Sequence, residues 1–402
     1  MIIKNGLVFG EDKHFEKKDL YLNKGRIADA PGDAASEEVI DAEGLYVLPG
    51  LIDIHSHGAV GCDFSDADVE GLKKILAYER AHGITSYCPT SMTLPKKQLF
   101  KIFDSAAEIL KAEQVFDSSQ DAGENVSSSS TSEAGQARSC GQSKPASSAP
   151  LAHIAGFNME GPFLDPTKKG AHVEEYILDP DVTFFRECNE RAKGNIRLVT
   201  LAPNMPNAID FIRELHDETV ISLGHTSTDY DTAKEAIATG ANHVTHLYNA
   251  MMPIAHRAPG LICAAAEAPQ CMAEIICDGI HIHQSVIRAT FHMFPDRMIL
   301  ISDSMRATGM PNGAYELGGQ KVNVNGRLAT LDNGTIAGSA TNLYDCMRTA
   351  VSFGISLEDA IAAATMNPAK SIGIYDEVGS LTPGKRADVL LVDKDLNLVR
   401  VI

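Results

Sequence analysis

His55 and His57 stand at the end of an apolar run, in Asp53-Ile-His-Ser-His57, with Gly58 following. Residues i and i+2 of a strand point to the same side, so both imidazoles would project together. Glu160 ends a second apolar run in Met159-Glu-Gly-Pro-Phe163. A carboxylate there is costly unless a cation or a donor meets it. His225 in Ser222-Leu-Gly-His225, His246 in Val244-Thr-His246 and Asp303 in Met298-Ile-Leu-Ile-Ser-Asp303 each close a further run of the same kind. Each has a plain reading alone: a hydrogen-bonded structural histidine, a salt bridge or a helix cap. Together they place six imidazoles and carboxylates at the ends of five apolar segments. That donor mix suits Zn²⁺ or Fe²⁺ and exceeds the three or four protein ligands of a single ion. The expected cofactor is a divalent cation, one or two per subunit, with Glu160 bridging a pair. A cation so held lowers the pKa of its water to about 7, which is hydrolytic chemistry.

The elements that must position these residues alternate. Apolar runs at Gly50–His57, Ile84–Thr90, His153–Glu160, Ile196–Ala202, Val220–His225, His243–Leu247, Glu274–Asp278 and Met298–Asp303 read as strands. Helical spacing separates them at Ala67–His82, Pro95–Glu113, Ala208–Asp217 and Tyr230–Gly240, and Ser356 opens a further helix. Such strands, buried on both faces, predict an α/β protein of the (β/α)₈ TIM-like barrel type, whose sites lie at the carboxyl ends of the strands. Short strands at Ile2–Phe9, Asp19–Leu22, Arg26–Ala30 and Val39–Ala42 have a counterpart at the far end, in Gly379–Asp393. They predict a small β-sandwich domain built from residues 1–49 and 378–402, flanking a barrel over 50–377. Residues 117–149 are about one-third Ser with almost nothing to bury, and read as a disordered insertion without chemistry.

A formal charge of −18 argues against nucleic acid or an anionic membrane as partner. It also repels a phosphorylated substrate at long range, so any phosphate site needs local cations. Eight cysteines without a Cys-x-x-Cys pair fit reduced thiols in the cytoplasm. No apolar run approaches the ~18–20 residues that cross a bilayer.

Longer strings carry a resemblance: Pro49-Gly-Leu-Ile-Asp-Ile-His-Ser-His-Gly58, Met159–Phe163 followed by Lys168-Lys-Gly-Ala-His172, Gly224-His-Thr226, His246-Leu-Tyr-Asn-Ala-Met251, His256-Arg-Ala-Pro-Gly260, Asp278-Gly-Ile-His281 and Ile336-Ala-Gly-Ser339. The chain resembles the amidohydrolase superfamily and, within it, the N-acetylglucosamine-6-phosphate deacetylases, over nearly its whole length outside 117–149. The resemblance implies hydrolysis of N-acetyl-D-glucosamine 6-phosphate to acetate and D-glucosamine 6-phosphate, in amino-sugar catabolism. It implies Glu160, His225 and His246 as ligands of the main metal, His55 and His57 as holders of a second, and Asp303 as the catalytic aspartate. Ala171, His172, Asn249, Ala250, His256, His281, Ala337, Gly338 and Ser339 match sugar-site positions. Arg257 matches a phosphate-binding arginine supplied to the neighbouring subunit's site in a homodimer. The string Arg257-Ala-Pro-Gly260 departs from the Arg-Glu-Pro-Gly of many relatives. Relatives acting on cyclic amides bridge their metals with a carboxylated lysine, and Glu160 in that role counts against such a substrate. A catalytically silent barrel kept as a binding module would have lost ligands that this chain retains.

Overall fold

The computed structural model describes residues 1–31, 38–121 and 150–402. Eight parallel strands form a nearly closed barrel. In chain order they are Leu51–Ser56, Ile84–Ser91, Phe157–Glu160, Ile196–Leu201, Val220–Leu223, His243–Val244, Met272–Ile276 and Met298–Ile301. From Leu51–Ser56 to Met298–Ile301 each strand pairs in parallel with the one before it. Between last and first strand the ring is joined just beyond the strand ends: Asp303 donates its N–H to the His55 carbonyl at 2.9 Å and His57 donates to that of Ser304 at 2.8 Å. The seam therefore runs through the residues with the chemistry.

The expected third strand, His153–Glu160, is two pieces: His153–Ile154 pairs with the second strand, and pairing resumes at Phe157. Between them Gly156 has φ +139°, and a Cβ there would sit 2.2 Å from the Arg197 side chain. The break lets the strand step past its neighbour. Strand 1 also departs from regular register, with a bulge between Asp53 and Ser56. A bulge re-aims the side chains that follow it. Ile52 and Ile54 join an inner apolar cluster with Leu198, Ile276, Ile299 and Ile301, and His55 and His57 come next above them.

The helices fall near the expected positions: Val69–Ala81, Lys96–Asp121, Ala208–Leu215 and Tyr230–Thr239. Ser356 caps Leu357–Ala364 by accepting the N–H of Asp359, which satisfies an otherwise orphaned donor. Helix Lys96–Asp121 runs five residues into the expected insertion, and the remainder of that insertion, 122–149, lies outside the described residues. No described helix is long and apolar enough to cross a membrane.

The two termini meet in one 7-stranded sheet. Val389–Val392 pairs antiparallel with Tyr46–Pro49, which pairs with Ile2–Phe9, and Ile3, Val8, Val47 and Leu391 share its core. Tyr46–Pro49 leads directly into strand 1 through Gly50, where a Cβ would lie 2.1 Å from Thr85 Oγ1. This sheet thus attaches at the end of the barrel opposite the strand termini that carry the site. A three-stranded antiparallel sheet, Gly313–Leu317, Gln320–Asn325 and Leu328–Leu331, follows the eighth strand; the sequence reading assigned no element there.

Candidate metal centre

Glu160 is the hub. Its Oε1 lies 2.9 Å from His246 Nε2, 3.1 Å from His225 Nε2 and 3.4 Å from His55 Nε2; its Oε2 lies 3.2 Å from His57 Nε2 and 3.4 Å from His172 Nε2. Asp303 Oδ1 stands 3.3 Å from His57 Nε2 and 3.8 Å from His55 Nε2. All of these groups are buried. The structure thus brings together the six expected chemistry-bearing residues, and His172 with them.

Hydrogen bonds on the far side of three of the rings decide which nitrogen faces inward, whereas the outer Nδ1 of His246 is buried without a partner. His225 Nδ1 donates to the Lys168 carbonyl (2.9 Å), His57 Nδ1 to that of Thr90 (3.1 Å) and His55 Nδ1 to Glu274 Oε2 (2.9 Å). Each ring then presents a bare Nε2 lone pair to the hub, the arrangement in which imidazole binds a metal. His172 is opposite in kind. Its Nδ1 accepts the N–H of Thr93 at 3.1 Å, so in the neutral ring the proton sits on Nε2 and that atom is a donor. Burial pushes the His172 imidazole down to about 4, helped by the nearby His225 and His57 and opposed by Glu160, so the ring is neutral. His172 is placed as a hydrogen-bond donor rather than a ligand.

These donors fit a divalent cation. His225 Nε2 and His246 Nε2 are 3.1 Å apart, close to the edge of about 3.3 Å expected between ligands of a tetrahedral Zn²⁺ with ~2.0 Å bonds. His55 Nε2 is buried without a hydrogen-bond partner. His55, His57 and Asp303 form one group that could hold an ion, and His55, Glu160 and His246 another. The electrostatics agree. Burial would raise the Glu160 carboxyl, but His55, His172, His225 and His246 hold it well below the usual range. Burial would likewise raise Asp303, and His57 and His55 keep it lowered. Burial opposes charging of His57, yet Asp303 and Glu160 pull it up to about 10. The carboxylates thus demand positive charge, which protons supply when no metal does.

The backbone here is unusual. His225, His246 and Asp303 have φ of +45°, +23° and +47°, conformations that cost a non-glycine residue of order 1–3 kcal/mol each. Each falls where a strand has just ended, so the chain turns sharply and the side chain faces the axis.

Above the cluster opens a cavity of about 400 Å³, lined by His57, Glu160, His225, His246 and Asp303 at its floor and by Ala171, Asn249, Ala250, His281 and Gly338 around its wall. Those wall residues are expected sugar-site positions. Lys168, Tyr248, Leu317 and Thr335 also line it and were not anticipated. Leu317 comes from the three-stranded sheet, where Gln320 also donates to the Ala171 carbonyl. Ala337 and Ser339 lie behind the wall: both are buried, and Ser339 donates its N–H to the Asp303 carbonyl at 2.7 Å. Ser339 thus supports Asp303's backbone, while Ala337 donates its N–H to the Ala329 carbonyl; neither lines the cavity. His281 is held by Asp278 Oδ2, 2.8 Å from its Nδ1. His256 and Arg257 are not brought to the cavity of their own chain; both are exposed on the loop Met252–Ala258.

Histidines outside the expected site also hold structure. His243 Nε2 lies 3.2 Å from Glu274 Oε1, and His283 caps helix Gln284–Met293 by accepting the Ser285 N–H. Glu274, on the seventh strand, was missed as a functional residue. Its signal was a carboxylate inside the apolar run Met272-Ala-Glu-Ile-Ile276, the same anomaly that singled out Glu160.

Comparison with known proteins follows the same lines. The model of the amidohydrolase family matches residues 46–402. The N-acetylglucosamine-6-phosphate deacetylase of Bacillus subtilis is 34% identical over 409 residues, covering 100% of this chain and 95% of that protein. An N-acetylgalactosamine-6-phosphate deacetylase of Escherichia coli O157:H7 is 28% identical over 393 residues, covering 97% and 94%. Among solved structures, a mutant N-acetyl-D-glucosamine-6-phosphate deacetylase from Mycobacterium smegmatis, in complex with N-acetyl-D-glucosamine-6-phosphate, superposes with a TM-score of 0.85 at 28% identity, covering 100% of this chain and 97% of that one.

Proposed function

The chain belongs to the amidohydrolase family, and we propose that it hydrolyses the acetamido bond of N-acetyl-D-glucosamine 6-phosphate in the cytoplasm, releasing acetate and D-glucosamine 6-phosphate. The observation that carries this reading is the convergence of Glu160, His225 and His246 on one point, with Asp303 beside it at the floor of a 400 Å³ cavity. Glu160, His225 and His246 would hold the main divalent cation, Zn²⁺ or Fe²⁺, and His55 and His57 a second. The bound cation supplies a water of pKa about 7 and polarises the amide carbonyl.

The chain's own residues do the rest. Asp303, ionised and 3.3 Å from His57 Nε2, is the base that takes the attacking water's proton and returns it to the sugar nitrogen, turning an amide ion into an amine that can leave. His172, neutral with its proton on Nε2, donates to the oxygen on which charge develops. Ala171, Asn249, Ala250, His281 and Gly338 enclose the sugar. Among the cavity's lining residues only Lys168 carries a fixed positive charge, which is little for a phosphate dianion. Arg257, exposed in its own chain, is suited to supply the rest to a partner's cavity, since a guanidinium fork binds phosphate oxygens in pairs. It stands on a loop with exposed Met252 and Ile254, apolar surface of the kind a homodimer interface would use.

The test is acetate release from N-acetyl-D-glucosamine 6-phosphate, with the galactosamine epimer as comparison, for wild type and Asp303→Asn. The variant should retain its main cation, held by Glu160, His225 and His246, and its substrate affinity, and lose turnover by about 10²–10⁴-fold. Turnover near wild type would remove Asp303 from the mechanism, and no release by metal-loaded wild type would overturn the proposed substrate.

A further inference from the structure

Below the candidate metal centre, inside the barrel, Glu274 is completely buried. Its Oε2 accepts the Nδ1–H of His55 at 2.9 Å and the backbone N–H of His246 at 3.1 Å. Its Oε1 faces His243 Nε2 at 3.2 Å, and His243 Nδ1 lies 2.7 Å from Ser371 Oγ. The chain Ser371–His243–Glu274–His55 therefore crosses the barrel interior and ends on the one imidazole of the cluster whose inward nitrogen has no hydrogen-bond partner.

The geometry is selective. An imidazole that donates from Nδ1 to a carboxylate keeps its Nε2 lone pair bare and more basic, and its ring is locked in rotation. Here the lock aims His55 Nε2 between Glu160 Oε1, 3.4 Å away, and Asp303 Oδ1, 3.8 Å away. His57 Nε2, the other donor expected for a second ion, approaches the same two carboxylates from its own side. His57 is held only by a backbone carbonyl, whereas His55 depends on a side chain that substitution can remove.

We propose that Glu274 is the positioning residue of the second cation site: it fixes the tautomer and orientation of His55, and through His55 it determines whether the centre holds two ions or one. This inference rests on the reading of the cluster as a metal centre but not on the identity of the substrate. Glu274 touches neither substrate nor the reacting atoms, and the one cluster imidazole that its side chain holds is that of His55; its bond to His246 is to the backbone N–H.

The experiment is a Co²⁺ titration of metal-stripped protein, following the visible absorption of the bound ion, with elemental analysis after dialysis. Wild type should take up two ions per subunit. Glu274→Gln keeps one acceptor oxygen, enough for the His246 N–H, but confronts a ring with an amide –NH₂. It should bind the first ion normally and the second about 10–100-fold more weakly, the range typical of losing such a partner. The double variant His55→Gln/Glu274→Gln replaces the pair by two amides able to bond each other, which protects folding. It should match His55→Gln alone in affinity and stoichiometry, because a residue acting through another adds nothing once that other is gone. A wild-type stoichiometry of one, an unchanged second ion in Glu274→Gln, or a double variant weaker than His55→Gln would each overturn the proposal. Acetate release plays no part in these readings, so failure of the proposed substrate would leave them intact.

Discussion

Glu79 offers a test of the barrel wall behind the centre. It lies on helix Val69–Ala81, is 1% exposed, and neither carboxylate oxygen has a hydrogen-bond partner among the described residues. Burial pushes its carboxyl well above the ordinary range, and the neighbouring Asp53 adds to the shift. The folded protein then keeps a proton that the unfolded chain releases above about pH 4.3. The sign follows from linkage: this contribution is fully present below the unfolded pKa and is lost as pH rises towards the folded one. One proton bound only in the folded state gives a slope of about 1.4 kcal/mol per pH unit. Between about pH 5 and about pH 7 wild type should therefore lose stability through this group, at no more than that slope. Glu79→Gln cannot titrate and should lack that component, although its amide is no better partnered. Urea unfolding of metal-loaded wild type and variant at both pH values gives the difference of differences, in which other titrating groups cancel. Parallel pH dependence of the two proteins would show that Glu79 is ionised in the fold and would refute the reasoning.

Two further outcomes test the cavity. In the proposed homodimer, mixing inactive Arg257→Ala and Asp303→Asn proteins under subunit exchange should restore about one quarter of wild-type activity, since half of randomly paired dimers would be mixed and each would have one intact site of two; no recovery would overturn the supply of Arg257 across a dimer interface. Gly338 has φ +65°, and a Cβ there would stand 3.1 Å from the Asp303 carbonyl oxygen. Gly338→Ala, at a conformational cost of roughly 1–2 kcal/mol, should lower kcat about tenfold with metal content unchanged, because small displacements of a reacting group are costly; unaltered turnover would show that this wall does not position Asp303.

Much of the barrel and of its centre was legible in the sequence because both obey one rule. Strands buried on both faces must be apolar throughout, so a His, Glu or Asp at the end of such a run is conspicuous. His55, Glu160, His225, His246 and Asp303 were found this way. Their supporting partners were less visible. Glu274 meets His55 across 219 residues and His243 across 31, and spacing along the chain does not encode such a meeting. The sheet Gly313–Leu331 was readable in principle, since Gly318 and Gly319 separate alternating runs containing Tyr315, Leu317, Val322 and Val324. Its strands bury one face only, against Met92, Ala171 and Met305, so exposed polar residues interrupt the apolar runs that mark the barrel strands. Cys62 and Cys263 lie in apolar stretches that would suggest burial, yet both are only partly buried.

The strain at the strand ends and the charge at the centre are two sides of one requirement. His225, His246 and Asp303 hold positive φ, and such conformations persist only where the surroundings over-determine them. The surroundings here are acceptors facing acceptors: Nε2 of His225 and His246, 3.1 Å apart, share Glu160 Oε1. The outer Nδ1–H of His225 is already committed to Lys168. Without a cation between them, protons must fill the gap, and His57 accordingly rises to about 10. A divalent ion replaces those protons with one doubly charged centre that satisfies several lone pairs at once, so it offsets the backbone strain as well as the repulsion. Metal binding and the sharp turns that follow the fifth and sixth strands should therefore be thermodynamically coupled, each stabilising the other.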